Sequence, residues 1–281
     1  MVKKIIGKSY IYLVLLFLYA PILVLMVYSF TEANEIGQWS GFSFGLYAKL
    51  FNDKAIMTAL GNTLIIALLS ALIATLLGAM GAIGVFYSKR RSRTVVETIT
   101  NIPVANSEVV MAISLTVMFV FIGRFIFRTS NPLSFWTLLI GHVTLALPFV
   151  YLNIKPKLNQ MDPSLYEAAL DLGYTQRSAI VKVILPSILP GVLSGFLVAF
   201  TLSLDDFIIT AFTRGSGLLS GAGQIETLST YVEAKIKRTS VPPALRALTT
   251  LIFLIVLIIV ISISIHDNRK AKKLTRAGGR R

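Results

Sequence analysis

The stretch AIMTALGNTLIIALLSALIATLLGAMGAIGVFYS, residues 55–88, contains no charged side chain and lies between Lys54 and Lys89. A helix needs about 20 mostly apolar residues to cross the roughly 30 Å hydrocarbon core of a membrane. The stretch is long enough for one tilted helix with an interfacial lead-in. It therefore predicts a membrane-spanning α-helix.

The composition of the whole chain also indicates a membrane protein. The chain has 281 residues, 55% of them hydrophobic and 14% charged, and its mean hydropathy is +0.75. Soluble domains carry about 25% charged residues, so an ordinary soluble enzyme is excluded. The absence of cysteine excludes disulfides, thiolate metal sites and cysteine nucleophiles. Because the two histidines, His142 and His266, are far apart in sequence, no multi-histidine metal site is expected.

Long stretches with few charges recur six times along the chain. We therefore predict an all-α membrane protein with a single transmembrane domain over residues 1–281. The first apolar stretch is longer than that of a signal peptide, so we expect it to be retained. The six spans are expected at about 9–31, 58–87, 101–123, 133–155, 187–212 and 245–266.

Lysine and arginine counts predict the orientation of these spans. With the N-terminus inside, the inner segments hold 18 of the 27 basic residues and the outer segments hold 9. Cytoplasmic loops carry the excess of basic residues in membrane proteins, so we expect both termini in the cytoplasm. The strongest anchors are the run from Lys89 to Arg93 and the basic tail 267–281. We assign the net charge of +14 to these flanks and do not expect nucleic-acid binding.

Small residues recur on one face of two predicted spans. Such stripes let helix backbones approach closely in a membrane, so they predict a packed helical bundle. The second span carries Ala67, Ala71, Ala74, Gly78 and Ala82, and the fifth carries Gly191, Gly195, Ala199 and Ser203.

The loop 155–187, KPKLNQMDPSLYEAALDLGYTQRSAIVKVILPS, is the most informative segment outside the spans. Asp162 and Pro163 are typical of a helix start, and Gly173 is typical of the residue after a helix end. The loop therefore predicts a short helix before Gly173 and a second, at about 175–184, that leads into the fifth span. Together they would form a compact knob under the membrane, with apolar contacts from Tyr166, Leu170 and Leu172.

The spacing within this loop resembles a motif of bacterial ABC-importer permeases. That motif is Glu-Ala-Ala, three residues, Gly, nine residues, Ile, one residue, Leu-Pro, on a cytoplasmic loop before the penultimate span. Here it reads Glu167-Ala168-Ala169, Gly173, Val183 and Leu185-Pro186, with valine in place of the usual isoleucine. The chain is thus identified as a member of this family over nearly its whole length. The implied fold is a type I importer bundle of six spans with a cytoplasmic coupling helix.

The resemblance also implies partners. In this family the first short helix of the loop is a coupling helix that docks in a groove of a separate cytoplasmic ATPase. Residues expected to carry this coupling are Tyr166, Glu167, Ala168, Ala169, Leu170, Gly173, Leu185 and Pro186.

Nucleotide chemistry is expected on another polypeptide. The chain has no Gly-x-x-x-x-Gly-Lys-Ser/Thr phosphate-binding loop, so we expect no catalytic residue and no bound cofactor on it. ATP and Mg²⁺ would bind to the partner ATPase. The resemblance implies an assembly of this chain with a second homologous permease, two copies of the ATPase subunit and an extracytoplasmic substrate-binding protein, in the bilayer of a bacterial plasma membrane.

Three carboxylates fall within predicted spans. Asp205 and Asp206 lie near the outer part of the fifth span, and Glu108 lies in the third. A carboxylate in a span costs about 2.5–3.5 kcal/mol on insertion scales and is by default a functional hypothesis. On a continuous helix Asp206 would extend the face of Ala199 and Ser203 toward another helix or a pore. We therefore expect the three carboxylates to line a pathway for a cation.

Shorter strings indicate the solute. The segments 203–210 (SLDDFIIT), 62–64 (NTL) and 103–108 (PVANSE) resemble the C-type permease subunits of spermidine/putrescine importers. The resemblance implies polyamine import by alternating access. Importers of thiamine, ferric iron or phosphonate share the loop motif and remain alternatives, as does a non-transporting scaffold. An intramembrane enzyme would need an acid/base pair, a nucleophile or metal ligands, and we expect no histidine beside the three carboxylates.

Overall fold

The computed structural model describes residues 2–33, 37–162, 164–215, 224–238, 242–258 and 261. Over these ranges the backbone is mostly helical and forms no β-strand. The helices are α1 (Val2–Tyr28), α2 (Gly45–Asn52), α3 (Lys54–Phe86), α4 (Arg90–Ala105), α5 (Glu108–Ile126), α6 (Phe135–Gln160), α7 (Ser164–Asp171), α8 (Gln176–Asp205), α9 (Ile208–Thr213), α10 (Leu228–Arg238) and α11 (Ala244–Ile258).

Five of these helices are long and apolar enough to cross a membrane, which confirms the predicted all-α membrane fold. They are α1, from Tyr10 onward, and α3, α5, α6 and α8. A further apolar helix, α11, is described from Ala244 to Ile258, at the start of the span predicted at 245–266, and all of the remaining residues of that span except Ile261 lie outside the described part of the chain. The basic tail 267–281 and His266 lie outside the described residues, as does Pro163.

The chain divides into two compact units, one made of residues 1–57 and 235–281 and the other of residues 58–234. In the first unit the ring of Phe30 stacks on that of Phe42 at 5.3 Å between centroids. Arg246, a buried residue of α11, donates a hydrogen bond of 2.9 Å to the carbonyl oxygen of Ala33. These contacts join the segment that follows α1 to α11. A single domain over residues 1–281 stays a prediction.

In the second unit α6 packs along α8, and small residues set the closeness of the approach. Val150 of α6 lies between Gly78 of α3 and Gly195 of α8. A Cβ atom on Gly78 would lie 2.7 Å from Val150 Cγ1, and one on Gly195 would lie 3.2 Å from it. Both predicted small-residue stripes are buried, as we expected.

Two predicted spans are not continuous helices. The span predicted at 101–123 is interrupted because α4 ends at Ala105 and α5 begins only at Glu108. Ser107 causes the new start, since its hydroxyl accepts a hydrogen bond from the backbone N–H of Val110 at 3.4 Å. The span predicted at 187–212 is interrupted at Asp206, where the backbone is extended (ψ 125°) between α8 and α9.

The loop predicted at 156–186 is also shorter than expected. α6 continues to Gln160, and the helix expected at 175–184 is the first part of α8. A π-helical turn at Ile180–Ile184 precedes Pro186. Proline lacks an N–H donor and crowds the carbonyl four residues earlier, and a wider turn accommodates both effects. The helix expected at about 175–184 therefore leads into the fifth span, as expected, without a break at Pro186.

Substitution at Gly78 tests the close packing around Val150. We expect Gly78→Val to destabilise the protein by about 1–3 kcal/mol, because overpacking displaces Val150. The control is Gly81→Val on the same helix, where an added Cβ would meet nothing within 4 Å. Melting temperatures in detergent should fall for Gly78→Val alone, and equal values for the two variants would refute this packing.

Candidate functional site

The two helix breaks bring the predicted carboxylates together. Glu108 is the first residue of α5 and Asp205 is the last residue of α8, and both are exposed. Glu108 lies close enough to Asp205 and Asp206 for their charges to interact. Exposed acids at interrupted helices within a membrane bundle are the arrangement from which transporters build cation sites.

Asp206 has a different environment from the other two acids. Its carboxylate is completely buried and accepts hydrogen bonds from the backbone N–H groups of Ile209 (3.2 Å) and Thr210 (2.9 Å). It thereby caps the start of α9. The continuous helix assumed for this residue ends at Asp205. Asp206 nevertheless faces another helix, as expected, because it lies beside the same His142 of α6 that contacts Ser203.

A buried histidine lies beside Asp206, contrary to the expectation that no histidine accompanies the acids. His142 of α6 is 1% exposed. Its Nδ1 atom lies 2.7 Å from Ser203 Oγ, and its Nε2 atom lies 2.9 Å from Thr210 Oγ1 and 3.5 Å from Asp206 Oδ2. The imidazole therefore joins α6 to both sides of the break between α8 and α9.

The donors and acceptors of this cluster form one directional chain. The Thr210 hydroxyl donates to Asp206 Oδ2 at 3.1 Å. The hydroxyl oxygen of Thr210 then accepts from Nε2–H of a neutral His142. Its Nδ1 accepts in turn from Ser203, whose oxygen accepts from the Ser70 hydroxyl of α3 at 2.9 Å. Every member of this chain has a partner, which is the condition under which a buried polar network stabilises a core.

The arrangement of these groups is suited to binding a cation. The hydrogen-bonded chain holds the break at Asp206, and Asp205 and Glu108 are exposed within range of each other's charges. Two neighbouring carboxylates attract a cation and can accept hydrogen bonds from an ammonium group. Among the described residues no cluster of three His, Asp or Glu side chains has the arrangement of a metal site.

The predicted coupling helix is α7, and its ends are formed as expected. Asp162 Oδ1 accepts from the backbone N–H of Ser164 at 3.0 Å, which caps the start. At the other end, Gly173 has a φ of 86° and donates to the Leu170 carbonyl at 2.9 Å. The N–H of Tyr174 donates to the Ala169 carbonyl at 3.1 Å. This pair of bonds is a Schellman motif, which requires the left-handed backbone that glycine adopts without strain.

The predicted coupling residues divide between two faces. Ala169 is buried, and the ring of Tyr166 lies 4.9 Å from the ring of Tyr87 at the end of α3. Tyr166 and Leu185 pack against the core of the second unit, and Leu170 is half-buried. The exposed members are Glu167, Ala168, Gly173 and Pro186. Leu172, which directly precedes Gly173, is 80% exposed.

A cluster of charges at the same end of the bundle ties α4 to α6. Glu97 Oε1 lies 3.0 Å from Lys155 Nζ and 3.0 Å from Arg93 Nε. The hydrogen bond from Lys155, with that from Arg93, holds the pKa of the Glu97 carboxyl below its usual range. Glu97 therefore remains ionised at neutral pH and keeps both ion pairs. The end of the bundle that α7 adjoins is thus one where ion pairs join α4 to α6.

His142→Leu tests whether the imidazole holds the helix break. The variant leaves the buried hydroxyls of Ser203 and Thr210 without their partner, so we expect a loss of about 2–4 kcal/mol of stability. The control is Thr144→Leu on the same helix, a half-buried residue whose hydroxyl bonds to the Ile140 carbonyl of its own helix. Thermal unfolding in detergent measures both, and a similar small change in the two variants would refute this role.

Comparison with known proteins places these features in a family. Residues 74–271 match the family described as binding-protein-dependent transport system inner membrane component. The spermidine/putrescine transport system permease protein PotC of Escherichia coli K12 is 31% identical over 97% of both chains. PotC of Haemophilus influenzae is 33% identical over 90% of this chain and 93% of its own. The putrescine transport system permease protein PotI of Escherichia coli K12 is 34% identical over 84% and 81%.

Solved structures agree on the fold. A bacterial alginate ABC transporter in complex with an alginate-bound periplasmic protein matches with a TM-score of 0.67 and 19% identity, over 92% of this chain and 91% of that chain. The MetNI methionine ABC transporter matches with a TM-score of 0.54 and 20% identity, over 75% and 95%. The resemblance to ABC-importer permeases is thereby confirmed. This chain belongs to the family of inner membrane components of binding-protein-dependent transport systems, as a permease.

Proposed function

We propose that this permease imports polyamines such as spermidine and putrescine. The observation that carries the proposal is the 31% identity, over 97% of both chains, to a permease whose name states spermidine and putrescine transport. Two further relatives, at 33% and 34% identity, carry names from the same solute class. The alginate and methionine transporters, at 19% and 20% identity, inform only the fold.

The charges at the helix breaks favour a cationic solute. The chain as a whole carries a net charge of +14, so the exposed pair Glu108 and Asp205 is a local exception. We assign these two carboxylates to contact with the ammonium groups of the solute, because carboxylates accept charge-assisted hydrogen bonds. Asp206 contributes to the pathway indirectly. Its cap on α9 holds the helix break, and that break exposes Asp205.

Energy for import comes from a separate ATPase in this proposal. Two copies of that subunit bind ATP and Mg²⁺, and each permease presents a coupling helix to one of them. The exposed side of α7 combines the carboxylate of Glu167 with apolar Ala168 and with Leu172 at its tip, which is 80% exposed, so it offers both polar and apolar contacts to a protein groove. The remaining partners are a second homologous permease and an extracytoplasmic binding protein. The excess of basic residues on the α7 side assigns both termini to the cytoplasm.

Uptake by the reconstituted importer tests the solute. Proteoliposomes containing both permeases and the ATPase, supplied with the binding protein, should accumulate labelled putrescine only when ATP is enclosed with the ATPase. Unlabelled spermidine should compete, whereas thiamine, ferric iron and a phosphonate should not. Accumulation of one of these three solutes in place of polyamines would contradict the proposal.

Neutralising the acidic pair should weaken uptake. For Glu108→Gln combined with Asp205→Asn we expect at least about a tenfold rise in the KM for putrescine, since charge-assisted hydrogen bonds contribute about 1.5–3 kcal/mol each. Asp53→Asn is the matched control, because asparagine can still accept the bonds from Ala55 and Ile56 at the start of α3. An unchanged KM in the double variant would remove the pair from the pathway.

Substitutions at Gly173 test coupling through α7. A valine at a φ of 86° costs about 1–2 kcal/mol and distorts the end of α7, whereas asparagine tolerates this conformation. We expect Gly173→Val to lower putrescine uptake per ATP hydrolysed several-fold and Gly173→Asn to preserve it. Reversing the exposed charge with Glu167→Lys should have a similar effect to Gly173→Val. Uptake and hydrolysis measured together would contradict this role if their ratio were unchanged in Gly173→Val and Glu167→Lys.

A further inference from the structure

A polar cavity of about 450 Å³ lies at the end of the second unit opposite α7. Its walls come from the π-helical turn that ends α5, the segment before α6 and the residues that follow α9. α6 begins beside the cavity and ends beside α7, and its 26 residues span about 39 Å. If α7 faces the cytoplasm, as proposed above, the cavity opens on the extracytoplasmic side.

Two arginines line this cavity, Arg124 and Arg214, together with Ser130, Asn131 and Gln224. Within the part of the chain that the structure describes, no ion pair includes either arginine. Two guanidinium groups that share a cavity repel each other, and an anion placed between them relieves this repulsion. The amide and hydroxyl groups beside them add neutral hydrogen-bonding partners.

The walls of the cavity are held by close backbone contacts. A Cβ atom on Gly123, next to Arg124, would lie 2.5 Å from the Pro132 side chain. A Cβ atom on Gly215, next to Arg214, would overlap the Leu133 carbonyl. The carbonyl of Gly215 also accepts from the N–H of Ile225 at 3.0 Å. Each arginine therefore projects from a backbone packed against the segment that precedes α6.

We propose that this cavity receives an acidic side chain of the extracytoplasmic binding protein, with Arg124 and Arg214 as its bidentate partners. The inference rests on the proposed function for the sidedness and for the solute. Guanidinium groups match carboxylates in geometry and charge. A polyamine would be repelled by the two arginines, so they serve the protein that delivers the solute rather than the solute itself. The family to which the chain belongs depends on a binding protein for delivery.

Binding measurements with charge variants test this surface. The assembled importer, held in nanodiscs of phosphatidylcholine, is titrated with its purified binding protein at several salt concentrations. We expect Arg124→Gln and Arg214→Gln to weaken binding about tenfold each and to reduce its salt dependence. The doubly reversed variant Arg124→Glu with Arg214→Glu should weaken binding further. Arg128→Gln is the matched control, since this exposed arginine lies four residues from Arg124 and outside the cavity.

Two further measurements keep the test decisive. Basal ATP hydrolysis of each variant reports whether it assembles, and we expect wild-type values because neither arginine lies near α7. Exchanging single Asp or Glu residues of the binding protein for Arg should identify one position that restores binding to the doubly reversed variant. Equal affinity of the binding protein for all variants and the Arg128→Gln control would overturn the proposal.

The competing ligand chemistry is an anionic lipid headgroup. In phosphatidylcholine nanodiscs the arginine variants would then bind the binding protein as tightly as the wild type does, and their affinities would differ only in phosphatidylglycerol nanodiscs. These two results together would assign the cavity to lipid and overturn the proposal. Failure of the polyamine proposal has a separate signature, since the wild-type importer would then take up no putrescine. Normal uptake with unaltered binding in the variants would refute the docking surface alone.

Discussion

Close packing of α6 against α3 and α8 is the constraint on which the second unit depends. Val150 fits between Gly78 and Gly195 because neither glycine has a side chain to keep the helices apart. The same approach brings Ser203 of α8 to 2.7 Å from His142 of α6. Without it the imidazole could not reach the residues on both sides of the break at Asp206, and the buried carboxylate would lose its neighbours. The polar contacts of the site thus depend on the close packing of apolar and small residues.

Most of the fold could be predicted from the sequence because membrane spans have a simple physical signature. Length and apolarity located five of the spans, and the stripe from Ala67 to Ala82 identified the buried face of α3. The interruptions at Ser107 and Asp206 escaped prediction, since each depends on one polar side chain bonding to nearby backbone rather than on hydropathy. The short helix expected at about 175–184 does lead into the fifth span, through the π-helical turn before Pro186.

The site was only partly predictable for a related reason. The three carboxylates stood out as charges in apolar sequence, and the structure does bring them together. His142 did not stand out, because its partners lie 61 and 68 residues away along the chain. Only the tertiary approach of α6 to α8 and α9 pairs them. Asp206 faces another helix beside Ser203, as expected, but the break after Asp205 was not anticipated because the extrapolation assumed an unbroken helix.

The helix α6 runs from the arginine cavity to α7. One end adjoins α7, whose buried side is fixed to the bundle through Tyr166 and Tyr87, and the other adjoins the arginine cavity. The break at Asp206 lies between these ends, beside His142. If α7 docks on a partner as proposed, its movement would act on the same helix that holds the acidic break, and α6 would connect the proposed ATPase contact to the proposed solute site.

The central claim, that α7 docks on a separate ATPase, can be tested by cross-linking in the assembled importer. Because the chain has no cysteine, Leu172→Cys provides one unique thiol at the tip of α7 for a photoactivatable cross-linker. Phe125→Cys, at a residue 73% exposed near the opposite end of the bundle, provides the control. The account predicts an adduct with the ATPase subunit from position 172 and none from position 125. An intact, actively transporting importer that gives no such adduct from position 172 would contradict it.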